Sequence, residues 1–397
     1  MVTSSAIALI RIDNPPVNGL SHGAREAIVR DLRAALADDG VTAIVLTGRP
    51  RFFSAGADIS EFGTPRSAAE PNLGQVIAAL QDATKPVVAA IDGTALGGGL
   101  ELALGAHYRV ATAGSRLGLP EVSLGIVPGA GGTQRLPRVL GVELAAEMIT
   151  SGTPRTAAEL FAVEGQRLLD RIVEGDIVAE ATEFALEVAT VRPLPTIRDL
   201  TAPAADVSAL RARLAKRSRG FLAPLAALDL VELAATTPLD EGIALERRTF
   251  EELVSGEQSA ALRHAFFAER TARKIPGIPA DTVAKQVNSV GVIGAGTMGG
   301  GIAMNFLNAG IPVTIVEGAQ DALDRGLGVL RRNYQIQVDR GKLGIDALEQ
   351  RMALLTPTLD YGDLGTADLV IEAVFEDMDV KRTVFTKIDE VAKPGAV

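Results

Sequence analysis

The 397-residue sequence contains no cysteine and no tryptophan, and only three histidines and three tyrosines. Without cysteine there can be no disulfide, no thiolate nucleophile and no thiolate zinc site. The histidines, His22, His107 and His264, form no HExxH or HxH grouping, so no metal is expected. No apolar run approaches the ~20 residues that span a bilayer, so membrane insertion is not expected. Positive charge is also scarce, with a net charge of −10. Phosphate-backbone binding needs a basic surface, which argues against nucleic acid as a partner. An anionic small molecule in a local pocket stays open. The opening Met1-Val2-Thr3-Ser4-Ser5 has neither a basic region nor a cleavage site, so no secretory signal is expected. Arginine outnumbers lysine and alanine is abundant, a composition that hints at a GC-rich bacterial gene and a cytoplasmic location.

Apolar residues make up 47% of the chain, enough for packed cores, and the length suggests two or three domains. Residues 6–12, 41–47, 87–91 and 108–112 read as strands. They alternate with helical spacing over 21–38, 73–82, 140–151, 157–163 and 176–190. That alternation is an α/β pattern. Composition shifts near residues 191–195, and from there only helices are expected: 206–218, 222–235, 240–254 and 257–273. The segment Lys274-Ile275-Pro276-Gly277-Ile278-Pro279 reads as a linker.

Four stretches carry chemistry. In Leu96-Gly97-Gly98-Gly99-Leu100-Glu101, three glycines open a short helix and leave bare N–H groups at its positive end, where a developing oxyanion can be held. A glutamate among Leu and Ala is costly to bury. Two readings stand at this point: a functional acid, or a packed glycine turn with Glu101 facing solvent. The Gly/Pro-rich run 118–137 holds one acid, Glu121, and reads as a loop lining something. Residues 51–59 read as a loop with Gly56 and Asp58. Near the C-terminus, Gly294-Ala295-Gly296-Thr297-Met298-Gly299 follows the strand 290–293 and opens a helix. The next strand, 311–316, ends at Glu317. That context is the dinucleotide fingerprint, with pyrophosphate at the helix N-terminus and Glu317 on ribose hydroxyls, favouring NAD. A glycine turn serving only close packing is the alternative.

With these motifs in hand, residues 1–190 resemble an enoyl-CoA hydratase/isomerase (crotonase) domain, and residues 288–397 resemble the start of a 3-hydroxyacyl-CoA dehydrogenase NAD domain. Residues 191–287 stand between them as a helical connector. The order resembles the multifunctional β-oxidation enzymes of the peroxisomal type. The segments that carry the likeness are 54–59, 95–105, 119–138, 264–270 and 372–378. The resemblance implies a crotonase-like spiral of ββα units and a partial Rossmann-type parallel sheet. It implies an oxyanion hole at the N–H groups of Ala57 and Gly98, and catalytic carboxylates at Glu101 and Glu121. Coenzyme A contacts are implied at Ala55, Gly56, Asp58 and Ile59. NAD contacts are implied at Gly294, Gly296, Thr297, Met298, Gly299, Glu317 and Glu376. The implied reaction is hydration of trans-2-enoyl-CoA, with 3-enoyl to 2-enoyl isomerisation by the same pair. The alternatives are another crotonase-type thioester reaction, or a non-catalytic acyl-CoA/NAD-binding module.

The second half departs from its family. None of the three histidines lies in 288–397, whereas such a dehydrogenase uses a histidine base. The chain is therefore expected to be truncated within the NAD domain and inactive as a dehydrogenase. An exposed half sheet there would predict poor order. The resemblance also implies a monomer, with an oligomer as the alternative, and peroxisomal location as the alternative to bacterial cytoplasm.

Overall fold

The structure, a computed structural model, describes residues 2–4, 6–272, 275–279 and 281–397. The last residue of the expected 257–273 helix and the Lys274 end of the linker lie outside the described residues. The chain divides into two compact units, Met1–Ile275 and Pro276–Val397.

In the first unit a six-stranded sheet runs in the order Val2–Ser4, Ile7–Arg11, Ala43–Thr47, Val87–Ile91, Tyr108–Thr112, Arg171–Val173. Only the first pair is antiparallel. The strands Ala43–Thr47 and Val87–Ile91 are buried at every position, as expected for a parallel sheet covered on both faces. Alternate residues serve different cores. Ala43, Val45, Val88 and Ala90 pack with the helix Ile177–Val188. Ile44, Leu46, Val87, Ala89 and Ile91 join the main core.

A second, four-stranded sheet contains Phe52–Ser54, Thr94–Leu96, Arg116–Gly118 and Arg155–Thr156. Each of its first three strands follows a strand of the large sheet and precedes a helical segment. Thus Ala43–Thr47, Phe52–Ser54 and Leu73–Gln81 form one ββα turn, and Val87–Ile91, Thr94–Leu96 and Gly98–Leu104 form the next. These three small strands are parallel, with Ser54 beside Ala95 and Leu96 beside Gly118. Residues 55–57, 97–98 and 119–121 therefore leave the sheet at the same end of its strands.

Two expectations need correction. The run 118–137 is not loop throughout: Gly132–Leu140 is a helix, with Pro137 inside it and Gly131 in a left-handed conformation at its N-cap. Its glycines and proline hide the helical spacing. Residues 51–59 likewise contain the short strand Phe52–Ser54.

The helices Ser208–Arg217, Ala223–Leu233, Leu239–Ser255 and Glu257–Ala272 follow. Leu210, Leu214, Ala223, Ala227, Leu228 and Val231 belong to the same core as the ββα turns.

The second unit is a parallel sheet in the order Leu355–Thr358, Val313–Val316, Val290–Ile293, Leu369–Glu372. Helices Thr297–Asn308 and Gln320–Asp339 contribute to a core with Val292, Ala303, Ile315, Leu323 and Leu330. Leu364 and Val384 pack with Ile293 and Val316 in another cluster. Core on both sides of the sheet is what holds it.

Candidate active site

The site is built at the C-terminal ends of the parallel strands of the small sheet. Gly97 takes φ +52° and its N–H donates to Gly118 O at 2.9 Å, tying two turns together. The helix Gly98–Leu104 starts there. Neither the Gly98 nor the Ala57 N–H donates to a protein acceptor among the described residues, as the first N–H groups of a helix commonly do not. They lie close: a Cβ placed on Gly98 would be 3.2 Å from Ala57 N. Two N–H groups without a protein acceptor thus lie near one another.

Glu101 sits one turn into the helix and is 2% exposed, so the solvent-facing reading fails. Its Oε1 accepts from Ala130 N–H and from Gly132 N–H, both at 2.8 Å. Burial raises its pKa; those two hydrogen bonds and the Arg135 and Arg247 charges oppose the rise. Glu121 opens a short 3-10 turn, Glu121–Leu124. Its Oε2 is buried and has no hydrogen-bond partner. Burial, then the neighbouring Glu101 charge, push its pKa well above the usual carboxylate range, and Glu246 adds to the rise. The two acids are thus differently poised: Glu101 Oε1 takes two backbone donors from a neighbouring turn, whereas Glu121 has one oxygen without a partner and is raised further.

Ala55 is exposed, Gly56 buried, and Ala57, Asp58 and Ile59 half-buried. The Asp58 carboxylate accepts from Ser60 N–H at 3.0 Å and Ser60 Oγ at 2.6 Å, shaping the loop as it turns into Ile59–Glu61.

Sequence reading missed Glu246. This residue lies on the helix Leu239–Ser255 and is fully buried. It accepts from Gly131 N–H at 2.5 Å, Thr133 N–H at 2.7 Å and Thr133 Oγ1 at 2.6 Å. Burial and the Glu101 charge push its pKa up to about 8, against those three hydrogen bonds. Arg135 was also missed; its Nη1 donates to Ala130 O at 2.9 Å. The available signal for Glu246 was its place on the apolar stripe with Leu239 and Gly242.

In the second unit the turn 294–299 leads from the strand Val290–Ile293 into the helix Thr297–Asn308. A Cβ on Gly299 would lie 1.8 Å from Gly294 O, whereas one on Gly296 would meet nothing within 4 Å. The first glycine serves packing, while the second leaves open backbone for an approaching group. Thr297 begins the helix and Met298 is 73% exposed. The Glu317 Oε2 accepts from Ala295 N–H at 2.9 Å, which brings this acid to the turn. Glu376 is highly exposed and pairs with Lys381 at 3.1 Å.

Comparison with known proteins accords with this geometry. Residues 2–190 match the enoyl-CoA hydratase/isomerase family, and residues 289–397 match the 3-hydroxyacyl-CoA dehydrogenase NAD binding domain. The peroxisomal bifunctional enzyme of Danio rerio is 41% identical over 408 residues, covering 99% of this chain and 54% of its own length. The Homo sapiens protein of that name is 40% identical, covering 99% of this chain and 55% of its own length. The glyoxysomal fatty acid beta-oxidation multifunctional protein MFP-a of Brassica napus is 35% identical, covering 98% and 56%. The chain spans about half the length of these relatives. Their peroxisomal and glyoxysomal names overturn the expectation of a bacterial cytoplasmic location, which rested on composition alone and had no physical link to an address. No helix among the described residues is long and apolar enough to cross a membrane. Residues 2–190 thus belong to the enoyl-CoA hydratase/isomerase family, and residues 289–397 carry the NAD-binding fold of the 3-hydroxyacyl-CoA dehydrogenases.

Proposed function

We propose that the first unit hydrates trans-2-enoyl-CoA to 3-hydroxyacyl-CoA, and that the same acids interconvert 3-enoyl and 2-enoyl thioesters. The observation that carries this reading is the gathering, at one end of the small sheet's strands, of two N–H donors without a protein acceptor, the buried Glu101 and the half-buried Glu121, whose Oε2 has no partner. The thioester oxygen accepts from Ala57 and Gly98, which stabilises the charge that builds there as Cβ is attacked. Glu101, held as carboxylate by Ala130 and Gly132, takes the proton of the attacking water. Glu121, kept protonated by burial and by the Glu101 charge, delivers its proton to Cα. Return of a proton from Glu101 to Glu121 resets the pair. Residues 55–59 border the donors and are the segment proposed to contact coenzyme A.

In the second unit, the open backbone at Gly296 and the helix N-terminus at Thr297 fit a dinucleotide pyrophosphate. Gly294, Met298 and Gly299 complete the turn. Glu317 is assigned to ribose hydroxyls and Glu376 to the cofactor's rim. NAD would supply hydride acceptance, but this unit contains no histidine to take the hydroxyl proton. No NADH formation from 3-hydroxyacyl-CoA is expected from this chain.

The test is loss of the enoyl absorbance of crotonyl-CoA with wild type, Glu101→Gln and Glu121→Gln. Each substitution should reduce turnover by ~10²-fold or more. Unchanged turnover in both would overturn the assignment. A binding module without turnover would use the same donors and glycine turn, but would leave the buried acids without a purpose. Tight binding by an inactive wild type would favour it.

A further inference from the structure

Four successive backbone N–H groups, from Ala130 to Thr133, point alternately to two carboxylates. Ala130 and Gly132 donate to Glu101. Gly131 and Thr133 donate to Glu246, which also receives the Thr133 hydroxyl. The turn is therefore clamped between two acids from different helices. Neither set of hydrogen bonds can rotate without disturbing the other, because alternate N–H groups belong to one short segment of backbone.

The approach of the second helix is built in. A Cβ on Gly242 would lie 2.2 Å from Gln134 Oε1, so a bare backbone lets Leu239–Ser255 close on Gly132–Leu140. Glu246, one turn later, then reaches the start of that helix. Gln134 Nε2 donates to Thr133 Oγ1 at 3.1 Å and to Leu230 O at 2.7 Å, which steadies the hydroxyl that Glu246 receives. The charged neighbours are Glu101 on Gly98–Leu104, Arg135 on Gly132–Leu140, Glu121 on its 3-10 turn, and Arg247 beside it on its own helix. A fully buried acid beside two others is an expensive way to fasten a loop.

We propose that Glu246 is a positioning residue of the hydratase site: by holding Gly131 and Thr133 it keeps the Ala130 and Gly132 N–H groups on Glu101. The helix Leu239–Ser255 is then part of the catalytic apparatus. This inference rests on the hydratase reading above.

The test is a double-mutant cycle in the full chain, using crotonyl-CoA and measuring kcat, KM and Tm for wild type, Glu246→Ala, Glu101→Gln and the double variant. The expected result for Glu246→Ala is a ~10- to 100-fold loss in kcat with KM within about 3-fold, because misplacement on the order of 1 Å costs that much. In the Glu101→Gln background the same change should alter kcat by less than about 2-fold. Equal losses in both backgrounds, or a lowered Tm with unchanged kcat, would overturn the proposal. Glu246→Gln guards against misfolding. It can still accept from Gly131 but opposes a donor to Thr133, so an intermediate kcat is expected. Removing the charge should also move the high-pH limb of kcat, set by Glu121, to lower pH; an unmoved limb together with wild-type kcat would overturn the proposal. An inactive wild type would instead refute the hydratase reading, and the positioning role with it.

Discussion

Gly98→Ala separates activity from stability at the proposed oxyanion site. Gly98 is the first residue of its helix and has an ordinary negative φ, so alanine is conformationally welcome there. Helix propensity favours alanine by about 0.5–1 kcal/mol. Against that, the new methyl would lie 2.7 Å from Leu73 Cδ2. Leu73 is only partly buried and the contact is with the end of its side chain, so it can swing aside for roughly 1 kcal/mol. The 3.2 Å approach to the Ala57 backbone N adds to the cost, so a net loss of about 1 kcal/mol is expected and Tm should stay within ~4 °C of wild type. Activity should not survive. The same methyl lies 3.2 Å from Ala57 N, in the space where a thioester oxygen would accept from Ala57 and Gly98. Loss of one such donor costs ~10²–10³ in rate, and a methyl that excludes the oxygen weakens both. Crotonyl-CoA hydration should therefore fall by at least ~10² in kcat/KM. A folded Gly98→Ala protein with kcat/KM within ~3-fold of wild type would refute the oxyanion assignment, since a 3-fold change is under 1 kcal/mol.

Gly97→Ala should fail differently: φ +52° disfavours any side chain, and its Cβ would lie 2.9 Å from Glu121 Oε1. We expect a loss of about 1–2 kcal/mol in stability by denaturant titration together with reduced kcat; a wild-type midpoint would contradict it. Stability should also depend on pH through the buried acids. Glu246 is raised from 4.5 to about 8, so between those values the folded chain keeps a proton that the unfolded chain has released. Stability is then greatest at the acid end of that window and falls as pH rises through it. Glu246→Gln should flatten the Tm-against-pH curve there, and an identical slope would count against the raised value. Gly299→Ala, whose Cβ would lie 1.8 Å from Gly294 O, should abolish NAD binding by calorimetry. Hydration should change by less than about 2-fold, since the substitution lies in the other unit; retained NAD affinity would refute the role of the turn.

What was legible depended on how local the cause is. Strands Val87–Ile91 and Tyr108–Thr112 fall where their apolar runs predict, because a run bounded by turn residues specifies itself. The same holds for the helices of residues 208–272, whose apolar stripes survive in the sequence. Glu101 was visible because a carboxylate inside Leu and Ala is conspicuous. The small sheet was not visible: three residues such as Arg116–Gly118 are too few to show a period of two. The helix Gly132–Leu140 was hidden by Gly131, Gly132 and Pro137, residues that normally end helices. Glu246 was hidden for another reason. Its partners Gly131 and Thr133 lie 115 and 113 residues away, and no local pattern encodes a contact of that separation.

Three acids in one buried place would repel each other if all were ionised, so the structure must rank them. Donors and charged neighbours together separate Glu101 from Glu121, whereas Glu246, despite its donors, is pushed up to about 8 by burial and the Glu101 charge. Glu246 accepts three hydrogen bonds, Glu101 accepts two on one oxygen, and Glu121 Oε2 accepts none. Donors favour the charged form, and burial without donors favours the neutral one. Arg135 and Arg247 add their attraction to Glu101, whereas the charges acting on Glu121 are the two acids, both raising its pKa. Burial raises both acids, Glu121 the more strongly, so the proposed mechanism assigns the proton to Glu121 and the base role to Glu101. That is the starting state a syn- or anti-addition of water across a conjugated C=C requires: one acid loaded and one base ready. The Ala130–Thr133 backbone supplies the donors that make the distinction, and Glu246 holds that backbone in place.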